Sequence, residues 1–286
     1  MAKFGTSVTQ GSDISRRSLK DWERQGEILG LLDGKTAVVS GIANKRSIAW
    51  GIARALLREG ASLIVTYQND RFKENLDKLL ADVDVPVKSL LLDVTNEGLM
   101  TEFVNQLEVI APKGVDILVH SIAHADRHDM GGRFLETSRE GFSMALTVSA
   151  YSLTELTRAV YPSMKKAGGG SIIAMTYQGS TRVMPNYNVM GVAKAALESS
   201  IRYLAFDLGK EHIRVNAISA GPVKTLAAAG VKGISQALHG TVEGAPIPEN
   251  ISTDDLGNAA VFLSSDWSRY ITGHILFVDS GTHIMG

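Results

Sequence analysis

Seven short apolar runs, at residues 35–40, 61–66, 87–94, 115–123, 171–176, 213–219 and 273–279, recur along the chain, with helix-forming stretches between them. The runs are too short for buried helices and lack the apolar–polar alternation of a half-exposed strand, so each reads as a strand buried on both faces. Strands separated by helices pair in parallel, because only a crossover can bring the chain back to the same edge. No internal repeat or linker interrupts the pattern. The expected fold is α/β, a Rossmann-like doubly wound parallel sheet of about seven strands, forming a single domain over residues 30–286. With 286 residues, 44% of them hydrophobic, the chain can bury one sizeable core. Residues 1–29 are polar and mixed in charge (Arg16, Arg17, Asp21, Glu23, Arg24, Glu27) and read as a flexible extension.

Several function classes are disfavoured. The net charge is -1 without a long basic run, so neither nucleic acid nor a charged membrane surface is an expected partner. The chain has no cysteine, which removes disulfides, a thiolate nucleophile and zinc–thiolate sites. No apolar run approaches the ~20 residues of a membrane span, and a cytoplasmic protein is expected. His120, His124 and His128 are spaced by four, but their segment begins as a strand and breaks into a loop, so no metal site is expected.

The chemistry concentrates between Tyr177 and Lys194. Tyr177 follows the fifth strand, where folds of this class place ligands. A helix is expected over 194–204, after the turn at Pro185. Tyr187 and Lys194 are seven positions apart, which at roughly 100° per residue puts phenol and ammonium on one face, about 10 Å apart along the axis. A phenol is a poor base at neutral pH but a good donor to a developing oxyanion. An ammonium beside it can hold a cofactor hydroxyl. A surface aromatic and a solvated lysine would show the same spacing, so the rest of the chain has to decide.

The strand ends suggest a dinucleotide. Gly41 to Gly51 forms a strand–turn–helix that can set a pyrophosphate on a helix N-terminus, although the usual G-x-G-x-x-G is absent. Gly41 would permit the tight turn, Gly51 would let the helix approach the sheet, and Ser47 would cap the helix or bond a phosphate. Gln68, ending the second strand, suits neutral ribose hydroxyls. No basic pair stands there to clamp a 2′-phosphate, so NADH is expected over NADPH. Asp93 would bond the adenine amino group, cap the helix from about Asn96, or both. The small-residue loop after the fourth strand would let a ribose lie against backbone. The Val223 backbone and Thr225 hydroxyl suit a carboxamide and a phosphate. Residues 224–245, small and apolar with internal glycines, read as a substrate lid or a plain surface helix. Residues 140–166 read as one long helix whose surplus apolar surface suits core packing or a subunit interface.

With these motifs the chain resembles the short-chain dehydrogenase/reductase superfamily, and within it the bacterial NADH-dependent enoyl-acyl-carrier-protein reductases, from about Leu31 to Ile284. The superfamily's usual Tyr-x3-Lys pair is missing; Tyr177-x9-Tyr187-x6-Lys194 resembles the enoyl-reductase signature instead, as do the stretches 41–51, 186–191 and 215–222. The resemblance implies dinucleotide contacts at Gly41, Ser47, Ile48, Gln68, Asp93, Val94, Ser121, Ile122, Ala123, Lys194, Val223 and Thr225. It implies that Tyr187 bonds the thioester carbonyl, that Lys194 holds the nicotinamide ribose, and that Tyr177, with Ala125, Met190 and Leu226, lines the acyl site. It also implies an acyl carrier protein as partner and a homotetramer. His124 stands where relatives often carry an aromatic or apolar residue, Pro248-Glu249 where they often carry a basic pair, and Lys224 where arginine is common. The first two fall near the expected substrate portal and bear on chain length and carrier docking. A carbonyl reductase of the same superfamily and a cofactor-sensing regulator remain as alternative readings.

Overall fold

The computed structural model describes residues 30–225, 238–240 and 243–285. The seven expected strands form one parallel sheet: β1 (Thr36–Ser40), β2 (Ser62–Tyr67), β3 (Lys88–Leu91), β4 (Ile117–His120), β5 (Gly170–Thr176), β6 (Ile213–Ala220) and β7 (Ile275–Val278). Their order is β3-β2-β1-β4-β5-β6-β7. Strand order therefore reverses between β1 and β4, which pair from Ala37↔Ile117 to Ser40↔His120. The crevice beyond their carboxyl ends is where such sheets place ligands.

Two apolar layers sandwich the sheet, and the pleat decides which residue enters which. Ala37, Val39, Leu63, Val65, Ile173 and Ile218 pack into a cluster with α1 (Ile48–Arg58) and α7 (Thr253–Ser264). Their neighbours Val38, Ile64, Leu118, Ile172 and Val215 face the opposite cluster, built with α3 (Glu97–Ile110), α5 (Ser152–Ala167) and α6 (Asn188–Leu208). Successive strand residues point to opposite faces, so runs with no polar alternation require helices on both sides. Further described helices are α2 (Asp70–Leu80), α4 (Arg139–Leu146) and a single turn at Arg127–Met130.

Four local expectations need correction. Residues 140–166 are not one regular helix: α4 passes into α5 through a π-helical turn, Thr147–Tyr151. α6 starts at Asn188 rather than Lys194, and the Asn188 side-chain Nδ2 donates to the carbonyls of Gly131 and Gly132, which ties down the first turn. Gly51 serves a helix–helix contact rather than a helix–sheet one: a Cβ there would lie 2.5 Å from the Thr253 side chain of α7. Asp93 does not cap α3; Asn96 does, accepting from the Leu99 amide.

Candidate active site

The Gly41 loop, the ends of β2 and β3 and the loop after β4 enclose a cleft of about 660 Å³ at the strand-order reversal. Gly41 has φ +95°, and a Cβ on it would lie 2.1 Å from the Ser121 carbonyl oxygen. The two loops thus meet at a separation only glycine allows. Gly41, Ser47, Ile48, Gln68, Asp93, Val94, Ser121, Ile122, Ala123 and Thr225 all line this cleft. Val223 does not; it is buried against the α1 side of the sheet.

The residues present fit a dinucleotide. Ser47, at the N-cap of α1, makes no side-chain cap, and the first turn of α1 carries no acidic residue. Its hydroxyl oxygen instead accepts from the Ala43 and Asn44 amides, both at 3.0 Å, and shapes the loop. The leading N–H groups of α1, with their positive dipole end, are thereby left to an anion. Across the cleft, partial burial pushes the Asp93 carboxyl up, but hydrogen bonds from Thr95 and Gln68 outweigh it and hold the group below the usual carboxylate range. Asp93 is therefore an ionised acceptor. The Gln68 amide nitrogen is committed to Asp93 at 3.0 Å, leaving its carbonyl for a hydroxyl.

Sequence reasoning missed Phe72, Met144 and Val148, which also line the cleft. Val148 sits in the π turn. There the buried Ser149 hydroxyl bonds both the His124 amide (2.9 Å) and the His124 carbonyl (3.0 Å). Ser152 follows, 2.8 Å from His120 Nε2. The turn so grips β4 and its loop at two points four residues apart. Ser149→Ala is expected to loosen that loop and raise the Kd for a bound dinucleotide several-fold, at about 1 kcal/mol per lost bond, as read by titration of dinucleotide fluorescence. The three histidines do not converge. His120 is buried between β4 and Ser152, and burial, then the Lys194 charge, push its imidazole down to about 3, so it is neutral. Among the described residues no three His, Asp or Glu side chains are grouped to hold a metal.

Tyr177 and Tyr187 do come together, and Lys194 binds the strand two residues before Tyr177; none of the three lines the cleft. Tyr187 is the N-cap of α6 and follows Asn186, which takes a left-handed φ of +61°. The two tyrosine rings meet edge to face, centroids 5.0 Å apart at 68°. Gly179 makes room for this, since a Cβ there would lie 2.6 Å from the Tyr187 ring. Burial pushes the Tyr187 phenol well above its ordinary value, and Tyr177 adds to the rise; burial also raises Tyr177, tempered by a hydrogen bond with Gln178. Both are therefore neutral donors. Ala125 and Tyr187 pack on a small apolar cluster containing Met190, so those expected substrate residues share one wall. Leu226, with most of the expected lid, lies outside the described residues.

Lys194 is 6% exposed and donates to the Met175 carbonyl at 2.8 Å. Burial pushes its ammonium down to about 8, and the Glu198 carboxylate pulls the other way. Lys194 is thus a buried residue of α6 that reaches the end of β5, not the solvated lysine that the same spacing would allow.

Comparison with known proteins bears on this arrangement. The family described as Enoyl-(Acyl carrier protein) reductase matches residues 41–283. An NADH-dependent enoyl-acyl-carrier-protein reductase from Bacillus cereus is 49% identical over 90% of this chain and 99% of its own length. The Aquifex aeolicus counterpart is 45% identical over 90% and 94% respectively. A crystal structure of the Bacillus cereus reductase with NADP+ and an indole naphthyridinone superposes with a TM-score of 0.87 at 46% identity, covering 90% of this chain and 99% of that one.

Proposed function

We propose that this chain, which belongs to the enoyl-acyl-carrier-protein reductase family, reduces the trans-2 double bond of an enoyl thioester carried on acyl carrier protein, the last step of the fatty-acid elongation cycle. The observation that carries this reading is the cleft at the strand-order reversal in a chain that also holds an edge-to-face Tyr177–Tyr187 pair and a buried Lys194. NADH, when bound, supplies the hydride that goes to the β-carbon of the enoyl thioester. The chain's part is to bind, orient and stabilise charge. Tyr187 donates a hydrogen bond to the thioester oxygen as negative charge develops there. Its raised pKa suits it to donate rather than to act as a base. Lys194 holds the nicotinamide ribose hydroxyls and lends positive potential to the same oxygen. Tyr177 braces the Tyr187 ring and lines the acyl site with Ala125 and Met190. Away from the nicotinamide, the α1 N-terminus, Gly41 and Ser47 take the pyrophosphate, Asp93 the adenine and Gln68 the ribose; Ser121 to Ala123 take the sugar face, and on the nicotinamide side the Val223 backbone takes the carboxamide and the Thr225 hydroxyl a phosphate.

NADH is favoured over NADPH because the side chains nearest the end of β2 are committed elsewhere. Asn69 caps α2 by accepting from the Phe72 amide, and Asp70 brings negative charge into that helix's first turn. A 2′-phosphate would meet that charge, while Arg71, next in the same turn, is the cation that would favour it. The expected extension over residues 1–29 and most of the expected lid over residues 224–245 lie outside the described residues. A homotetramer is the assembly, supported by the aromatic side chains that α6 leaves exposed, Tyr203 at 72% and Phe206 at 83%. No helix among the described residues is long and apolar enough to cross a membrane, in keeping with work in the cytoplasm.

The test is NADH oxidation with crotonyl-CoA, followed by the loss of NADH absorbance. Wild type should turn over, faster with NADH than with NADPH. Tyr187→Phe should lower kcat by roughly 10- to 100-fold, at or below the cost of removing one oxyanion donor, with little change in NADH Kd. No turnover from a wild type that binds either dinucleotide would overturn the assignment.

A further inference from the structure

Glu198 has no place in the roles above, yet it is buried on the same face of α6 as Lys194, one helical turn further on. The ends of both side chains reach β5. Lys194 Nζ donates to the Met175 carbonyl at 2.8 Å, and Thr176 Oγ1 donates to Glu198 Oε1 at 2.7 Å. Two consecutive strand residues thus anchor an ammonium and a carboxylate side by side, each bound to the strand rather than to the other. Residues four apart on a helix place their Cβ atoms about 6 Å apart, close enough for strong interaction where water is excluded. A carboxylate in such a place is costly unless its charge is used. Satisfying Thr176 needs only an acceptor, which an amide would supply.

We propose that Glu198 is a positioning residue for the reductase: its negative charge keeps Lys194 protonated and aligned along β5, in the form that binds the nicotinamide ribose. The role rests on the function proposed above. The other groups around Lys194 cannot substitute. His120 of β4 is neutral, and its buried Nδ1 has no partner. Tyr177 at the end of β5 and Tyr187 at the N-cap of α6 are neutral phenols. Glu198 is the carboxylate whose charge raises Lys194 against burial.

Glu198→Gln isolates the charge, since the glutamine carbonyl can still accept from Thr176. NADH Kd is measured by fluorescence titration from pH 6 to 9.5, and kcat/KM for crotonyl-CoA over the same range. In wild type both should weaken above about pH 8, where Lys194 loses its proton. In Glu198→Gln that alkaline limb should move about one pH unit lower, a several-fold rise in Kd at pH 8 with near-equal binding at pH 6. An unshifted limb, or a loss uniform across pH as a purely structural role would give, overturns the proposal. Glu198→Asp keeps the charge but draws it back by one methylene, so its limb should fall between the two. If the glutamine variant does not fold, an aspartate limb identical to wild type overturns the proposal by itself. A wild type that binds NADH but leaves crotonyl-CoA unreduced would sink the proposed function while the binding limb still decides the Glu198–Lys194 coupling. A wild type that binds no NADH overturns both.

Discussion

Lys194→Ala is expected to lower kcat/KM for crotonyl-CoA by about 10²–10³-fold or more, the cost of losing one preorganised charge at a developing oxyanion, and to weaken NADH binding as well. Tyr187→Phe should spare NADH affinity, so a binding isotherm separates the two positions. The substitution also changes how stability depends on pH. In the folded chain the Lys194 ammonium is disfavoured, titrating at about 8 against 10.5 when exposed. Between those values the unfolded chain binds the extra proton, so this group's contribution to stability rises as pH goes from about 8 toward 10.5. Below pH 8 the full cost of the buried ammonium is present. Lys194→Ala should flatten this part of the profile, measured as Tm against pH. Retained turnover in the variant would remove Lys194 from the chemistry and leave it as a strand anchor.

Gly41→Ala should come next in effect, and for a steric reason. The new Cβ would lie 2.1 Å from the Ser121 carbonyl oxygen and 2.6 Å from its carbon, both backbone atoms of the loop after β4. It would also hold alanine at φ +95°. The loops must separate where the cleft is narrowest. Backbone strain alone costs about 1–3 kcal/mol, and with the clash a Tm fall of roughly 5–10 °C is expected. NADH affinity should drop at least about tenfold, which is about 1.4 kcal/mol. Gly34→Ala is the control. Its φ is +75°, but nothing lies within 4 Å of the added carbon, so it carries strain without collision. A Gly41→Ala protein no worse than Gly34→Ala in both Tm and NADH affinity would mean that the loops do not need their close approach.

Much of this architecture was legible before any coordinates. Runs such as Ala37-Val38-Val39 and Ser171-Ile172-Ile173-Ala174 read as strands buried on both faces, and they are. The cleft residues Gly41, Gln68, Asp93 and Ser121 fall just past strand ends, and Ser47 at the start of the next helix, where a parallel sheet must present its loops. What escaped was set by partners far away in the chain. Ser47 reads as a helix cap but bends back to two amides of its own loop. The π turn leaves no local mark in Thr147-Val148-Ser149-Ala150-Tyr151; Ser149 finds its partner 25 residues earlier, and Ser152 finds His120 32 residues earlier. Gly51 reads as a helix–sheet contact because neither its own helix nor the strand before it reveals that Thr253 lies against it.

The sequence by itself determined the strand–helix order and the parallel sheet. These follow from periods of two and of 3.6 residues, which are written within a few neighbouring positions. The tertiary structure alone decided the electrical state of the site. Lys194 lies 19 positions from the carbonyl that holds it, and Thr176 lies 22 from Glu198. The proton affinity of a side chain depends on the water it loses and the charges it meets, and both are supplied by elements that the fold brings together.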